Sequence, residues 1–591
     1  MKSEFNPFRV PVKNRFLAGS VESMLGLKKL IRGYDNRPSD ATGAENYERF
    51  LKYTLEVLGM GLTPVGGDHL NEIPKEGPVI FVANHPLGGL EGVAMTDLLL
   101  KVRPDLKVLT NQLLTRIPEL SGLFIGVDVL SKNAAAANAK GIRAACKQLS
   151  QGGALLIYPA GTVSAIDTGT WQIRDSEWDN LVGRLAKKYK ATCVPFFVDG
   201  KNSKAFYTAG LIHKRLRTLM LPRELANKEG KNFDLYVGKP ISPDELTSLE
   251  TEQAITNYLR IATDLLPNSR NQSSKESVII SGATIAESSK SDEIEEQLEK
   301  IQDCLMVESG EFEVYCAPYD RLGKIMDAIA TSREVTFRAA GEGTGREKDF
   351  DHYDPHYLHL FLWDRDAKAL VGGYRIGRTD EIVAKHGLKG LYSRSHYHYD
   401  ERYLQRVGSA LEMGRSFVTP AYQRHPRALD LLWKGIGAYI ARHPEYHTLF
   451  GCVSISKEHS ILARAFLSDS MLAGFRAEQE FLMDIRPVVP LKVRGKVWTL
   501  EALASISNIS AINKLLGRCD PGKSVPILLR HYLALNGKFV CFSVNTGFND
   551  SLDGLILVDL RKSPDKYIKR YLGKDGAEKF LQLWNQHETA A

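Results

Sequence analysis

The stretch VIFVANHPLGGLEG, residues 79–92, decides how this chain must fold. Val79 to Ala83 form a short uncharged run, rich in β-branched and aromatic residues, that reads as a buried strand. Pro86, Gly88 and Gly89 break it into a turn, and EGVAMTDLLLKV (91–102) has the apolar spacing of a helix. A strand passing through a tight turn into a helix is the repeating unit of an α/β domain. The pattern continues outward. Tyr47, Leu51, Leu55 and Leu58 line one face of a helix beginning near Glu45, LKVLT (106–110) is extended, and the Ala-rich stretch 134–151 is helical. ALLIYP (154–159) and TCVPFFV (192–198) add two more strands to a central sheet.

The turn carries the chemistry. Asn84 and His85 stand where the strand emerges, a place that holds side chains rigidly at the rim of a cleft, and Glu91 opens the next helix. A carboxylate bonded to one imidazole nitrogen fixes the tautomer and leaves the other nitrogen to take a hydroxyl proton. The plain alternative is a turn histidine capping a neighbouring carbonyl. GLFIGVD (122–128), YPAGTVS (158–164) and TCVPFFV (192–198) follow in order. Together these stretches resemble the four motifs of the glycerolipid (lysophosphatidic-acid-type) acyltransferases, over roughly residues 45–245. The resemblance implies His85 as general base, Glu91 as its orienting carboxylate, and Asn84, Gly161 and Thr162 at the acceptor. Leu90 occupies the family's usual acidic position with Glu91 one residue late, Ala160 and Val163 replace a Glu and an Arg, and Asp128 replaces a second Arg. The lost groups normally meet a glycerol phosphate. The resemblance therefore implies an acceptor without one, as in the branch that O-acylates lyso-ornithine lipids; a decayed active site is the rival explanation.

The second half reads as another fold. Strands are expected at HLFLWD (359–364), ALVGGYRIG (369–377), LEMGRSFV (411–418) and TLFGCVSIS (448–456), with a central helix over Ala428–Arg442. In AYQRHPRALDLLWKGI (421–436), backbone N–H groups at the helix start form an anion site to which Arg424 and Arg427 add charge. Gln423-x-x-Pro426-x-Ala428 resembles the pantetheine loop of the Gcn5-related N-acyltransferases. Pro426 in place of Gly removes one N–H, which suits the single phosphodiester of a carrier protein's phosphopantetheine; an ordinary helix turn is the alternative. Arg333, Phe337, Asp351, Asp354, Arg375, Glu412 and Arg415 have the order of the signature residues of acyl-homoserine-lactone synthases. REVTFRAAGEGTG (333–345), HLFLWD, LEMGRSFV and LFGCVSIS (449–456) resemble the ornithine lipid synthase N-acyltransferases across about 315–575. Within this substrate-binding set, Glu412 is the candidate to accept the amine proton, Asp351 and Asp354 to hold a cationic side chain, and Arg375 or Arg415 to hold an α-carboxylate. For each carboxylate and arginine the competing reading is an internal ion pair.

Composition bounds the rest. A chain of 591 residues, 43% hydrophobic and 25% charged, is globular and multi-domain. Seven cysteines without a CxxC pair exclude a disulfide scaffold and a zinc ribbon. MKSEFNPFRVPVKNRF has no apolar core and no run of ~18 apolar residues occurs, so neither a signal peptide nor a membrane-spanning helix is expected. Residues 1–270 hold 35 Lys+Arg against 28 Asp+Glu while the remainder is neutral, which suits an anionic partner for the first half. His396 and His398 beside Asp400 lack a third ligand, DPGKS (520–524) lacks the upstream Gly of a phosphate loop, and no nucleic-acid module is evident. No metal or other cofactor is expected.

The expected organisation is a basic, membrane-associating or self-packed segment (1–44), an α/β O-acyltransferase domain (45–266), a Ser-rich linker with a short strand at Val278–Ile280 (267–295), and an α+β, mixed-sheet N-acyltransferase domain (296–591). The resemblances imply aminolipid synthesis by a cytoplasmic protein peripheral on the inner face of the membrane. A 3-hydroxyacyl group would pass from acyl carrier protein to ornithine, or to glycine or lysine, and the lyso-aminolipid would then be O-acylated. An N-acyltransferase with a silent, lipid-binding first domain, and a non-enzymatic membrane-binding protein, are the alternatives.

Overall fold

The computed structural model describes the chain apart from residues 1–5, 10–13, 25, 39–42, 128–133, 170, 269–281 and 591. It divides into two units, Met1–Asn271 with Val497–Cys519, and Gln272–Lys496 with Asp520–Ala591. The strands of the first unit are β1 (Gly61–Val65), β2 (Val79–Ala83), β3 (Lys107–Asn111), β4 (Phe124–Val127), β5 (Ala154–Ile157), β6 (Ala165–Asp167), β7 (Gln172–Arg174), β8 (Thr192–Asp199) and β9 (Asn232–Val237). β6 and β7 form a separate hairpin, and the other strands make one sheet in the order β1-β9-β8-β2-β5-β3-β4. All neighbours run parallel except β8 and β9.

β2 is central, between β8 and β5, and every one of its residues is fully buried. Such two-sided burial is why the run is continuously apolar rather than alternating, and each large side chain in it contributes about 1.5–3 kcal/mol. His85 stands just past the carboxyl end of β2, the edge at which open α/β sheets hold ligands. The helix Gly89–Leu100 starts two residues before the expected position. Asp128 of the second expected motif lies outside the described residues.

The second unit has β10 (Leu305–Ser309), β11 (Phe312–Pro318), β12 (Leu358–Asp364), β13 (Ala369–Arg378), β14 (Tyr397–His398), β15 (Ala410–Val418), β16 (Thr448–Ile455), β17 (Arg486–Pro487), β18 (Lys538–Asn545) and β19 (Ser551–Asp559). β14 and β17 pair with each other, and the rest form one sheet in the order β10-β11-β12-β13-β15-β16-β19-β18. Its one parallel pair is β15 with β16, held together only over Ala410–Met413 and Thr448–Gly451. Beyond that point β15 continues along β13 to Val418 while β16 continues along β19 to Ile455. The sheet therefore splits in the middle. Gly451 closes the paired part, where any Cβ would run into the Met413 carbonyl. The helix Ala428–Arg442 connects the diverging strands and packs on β10 to β13.

Two expected boundaries change, and the first segment takes one of its two expected forms. Residues 291–295, read as linker, open the helix Ser291–Glu299, whose Ile294 and Leu298 are buried in the second core; the strand expected at Val278–Ile280 lies outside the described residues. Val497–Cys519, inside the expected second domain, belongs to the first unit. In the first 44 residues, Leu27, Leu30, Ile31 and Tyr34 join the first unit's core, whereas Phe16 and Leu17 stay exposed.

Candidate active sites

In the first unit the geometry begins with Gly88. Its φ of 97° and ψ of −114° suit only glycine, and this kink turns the chain from β2 into the next helix. Glu91, in the first turn of that helix, accepts from the backbone N–H of Leu87 at 2.9 Å and of Gly88 at 2.8 Å, both on Oε1. The same oxygen lies 2.9 Å from His85 Nδ1, at an angle bent away from a straight hydrogen bond. Burial disfavours the imidazolium, but the charge of Glu91, seconded by Asp175, outweighs it and raises the His85 pKa above its ordinary value. The imidazole rests against the Tyr158 ring, centroids 4.6 Å apart, and Nε2 is the nitrogen left for an acceptor hydroxyl.

Around this pair the backbone is pinned. Asn84 donates to Val198 O at 3.1 Å and accepts from Val198 N at 2.7 Å, locking the end of β2 to β8. Asp175 accepts from His85 N at 3.2 Å, Ser164 Oγ at 2.5 Å and Trp178 Nε1 at 3.2 Å, and Ser164 N donates to His85 O at 2.8 Å. Val163 is buried against Phe206 and Tyr207, so an apolar cluster stands where the resemblance would place an arginine.

In the second unit, charge concentrates beside the split sheet. Arg333 on the helix Lys324–Ala339 meets Asp354 at 2.8 Å; Arg375 on β13 meets Asp351 at 2.7 Å and Asp354 at 3.2 Å; Arg415 on β15 meets Asp349 at 2.9 Å and Asp351 at 3.2 Å. Three arginines thus face three aspartates. His359 is wired into the same cluster, Nδ1 3.1 Å from Arg333 and Nε2 3.0 Å from Asp354 O. That arrangement calls for a neutral ring with its proton on Nε2, and burial together with Arg333 lowers its pKa to about 3. Arg415 sits in a β-bulge with φ of 47° and donates to Tyr392 OH at 3.1 Å. Asn545 donates to the same hydroxyl at 3.2 Å and to Asp553 at 2.8 Å. Glu342 rides on the loop 341–345, which Glu334 holds by accepting from Thr344 N at 3.1 Å and Gly345 N at 2.9 Å. Burial, reinforced by Asp553, raises the Glu342 pKa to about 8.

Residues 48–273 match the acyltransferase family model, and residues 332–434 match that of the acetyltransferase (GNAT) domain. A glycine N(alpha)-acyltransferase of Phocaeicola vulgatus is 30% identical over 42% of this chain and 79% of its own length. This chain belongs to the acyltransferases. An L-ornithine N(alpha)-acyltransferase of Agrobacterium fabrum is 27% identical over 41% of the chain and 77% of the relative. A lyso-glycine lipid O-acyltransferase of Bacteroides thetaiotaomicron is 29% identical over 43% of the chain and 92% of the relative. The acyltransferase and GNAT matches lie in succession, in agreement with a mixed α/β chain carrying one domain of each kind.

Within this acyltransferase the expected site residues sort by what they touch. His85 and Glu91 come together. Asn84, expected at the acceptor, has both amide atoms engaged by β8. Gly161 makes a turn with φ of 65°, and Thr162 lies 3.3 Å from Ser176 Oγ on the surface. Glu412, expected to accept the amine proton, is held by three donors: it accepts from Tyr357 OH, from Tyr392 N at 2.9 Å and from Ser393 N at 2.7 Å. Asp351 and Asp354, expected to hold a cationic side chain, are paired with Arg333, Arg375 and Arg415, the internal ion pairs that were the competing reading. Phe337 is a wall residue, its ring 4.9 Å from that of Phe548. Arg427 reaches back to Ser309 O at 2.8 Å and Glu311 at 3.3 Å, while Arg424 and Gln423 are exposed and Ala428 is buried. Sequence reasoning missed Asp175, Glu342, Tyr392 and Asp553. The Gly-rich frame of Glu342 was its one local signal; the others are joined only by the fold.

Proposed function

We propose that the acyltransferase makes a diacylated aminolipid in two steps on the inner face of the cytoplasmic membrane, without a metal or redox cofactor. The GNAT-type domain transfers a 3-hydroxyacyl group from acyl carrier protein to ornithine. The α-amine attacks the thioester carbonyl and its proton passes to Glu342; the C–S bond then breaks, and the departing carrier thiolate takes that proton back to leave as the thiol. Glu342 takes the role first assigned to Glu412, because its loop presents it at Ser454 on the diverging part of β16 and because a carboxyl with a raised pKa is a stronger base once ionised. The first domain then esterifies the 3-hydroxyl. His85 Nε2 takes the hydroxyl proton, the oxygen attacks a second acyl thioester, and the imidazolium returns the proton to the leaving thiol. Joining both domains in one chain raises the effective concentration of the lyso-lipid at the second site.

The observation that carries this reading is the buried Glu91 held 2.9 Å from His85, a carboxylate–imidazole pair of the kind a general base needs. The relatives named for N-acylation and for lyso-lipid O-acylation support the pairing of steps. A glycine headgroup is the second reading, favoured by the neutralised Asp351 and Asp354, which leave the ornithine side chain without its expected partner.

Lipid mass spectrometry of a bacterial host lacking aminolipids tests it, with wild type beside His85→Ala. Wild type is expected to give diacylated ornithine lipid and the variant only the lyso form. Lyso-lipid from both would mean a silent first domain, a glycine headgroup mass would correct the acceptor, and no aminolipid from folded wild type would overturn the proposal.

A further inference from the structure

The first unit gathers exposed large aliphatic side chains on two adjoining helices. On the helix Lys204–Ile212 and the following helix Lys214–Leu219, Leu211, Ile212, Leu216 and Leu219 are exposed, Ile212 to 78% and Leu219 to 68%. The β6–β7 hairpin, whose β6 packs on the first of these helices, carries Trp171 at its tip, 73% exposed. Soluble surfaces seldom gather such side chains without a use. The charge pattern names the use. Between Asp199 and Glu224 the chain has Lys201, Lys204, Lys214, Arg215, Arg217 and Arg223 and no carboxylate. Aliphatic tips set among cations are the makeup of an interfacial lipid-binding segment, and Asp167, the acid on the strands of the Trp171 hairpin, is paired with Arg174. A second copy of the same surface would bring like charges together, which argues against self-association.

The segment is also fixed to the His85 turn. Asn202 donates to Pro86 O at 2.9 Å, and Ser203 N donates to Glu224 at 2.8 Å. On the inner side Phe206 and Tyr207 pack with Val163 and Leu221, and Leu221 fills the space beside Gly88. We propose that the helical pair Lys204–Leu219, with Trp171, is the surface that seats the first domain on an anionic bilayer. Ile212, Leu219 and Trp171 enter the headgroup boundary, and the cations meet lipid phosphates. This rests on the membrane placement proposed above and locates it away from the basic segment 1–44.

The test is co-sedimentation of the full chain with vesicles of phosphatidylglycerol and phosphatidylethanolamine, and with phosphatidylcholine alone, without acyl donors. Wild type is expected to bind the anionic vesicles, less as salt rises, and at least tenfold less to phosphatidylcholine. Ile212→Asp with Leu219→Asp should lower binding at least tenfold while the chain still N-acylates in solution. Lys214→Glu, a single surface change that secures the test should the double variant misfold, should lower binding several-fold. Undiminished binding by the folded variants overturns the inference, as does loss of affinity for an acidic carrier protein in place of vesicles. A wild type that makes aminolipid but does not bind vesicles overturns this inference alone.

Discussion

Glu91 Oε1 gathers two backbone N–H groups and approaches an imidazole, so one atom both shapes the turn and sets the basicity of His85. A base works only when unprotonated, so O-acylation should rise with pH through the elevated His85 pKa. Glu91→Gln keeps an oxygen for the turn but removes the charge. It should cut the O-acylation rate on the order of 10²-fold or more and move the rising limb of the pH profile to lower pH; an unmoved limb would exclude the assigned role. His85 and Glu91 were legible because they lie six residues apart on one turn. Asp175, which clamps His85 to Ser164, was not, because nothing local marks a residue that acts across ninety positions.

At the scale of elements, the cluster of Arg333, Arg375 and Arg415 with Asp349, Asp351 and Asp354 joins a helix, two strands and the loop between them. Ionised partners this deeply buried are costly to separate. Arg375→Met would leave Asp351 and Asp354 short of a counter-charge and is expected to destabilise the second unit by about 3–5 kcal/mol, measured by urea unfolding followed within that unit. Attraction to the arginines, working against burial, holds Asp351 and Asp354 below the usual carboxylate range. Their stabilisation is present above the unfolded value of ~4 and is lost as pH falls below it, so wild type should approach the variant's stability in acid. The central strands of both sheets, β8, β2, β5 and β3 in one and β12, β13, β15 and β16 in the other, fall at apolar runs, and the helix Ala428–Arg442 falls where its periodicity put it, whereas the outer strands β1, β4, β9, β10, β11, β18 and β19 were not read. The pairing of charges could not be read either. Order along the chain shows which residues share a neighbourhood, whereas only the folded distances show that the acids and bases satisfy one another.

At the scale of the molecule, Val497–Cys519 completes the first unit from far along the chain. Its helix Ile509–Cys519 buries Ile512, Leu515 and Leu516 almost completely, Arg518 meets Glu245 at 2.9 Å, and Ser505 accepts from Asn257 at 2.9 Å. Three buried aliphatic residues at about 1.5–3 kcal/mol each rival the ~5–15 kcal/mol by which a whole domain is stable. A fragment ending at residue 271 should therefore melt well below the first unit of the full chain and aggregate on heating, and supplying residues 497–519 should raise its melting temperature; equal melting of fragment and full chain would contradict this. The sequence concealed the return because the segment carries an ordinary amphipathic pattern that any core could bury. The order of synthesis adds a constraint of its own. After Asn271 leaves the ribosome, residues 272–496 must be made before the closing helices appear, a delay on the order of 10–45 s at ~5–20 residues per second. During that interval the nascent O-acyltransferase waits with an open seam while its successor domain is already folding, and a gene split once between the two catalytic halves would strand the closing helices on the wrong product.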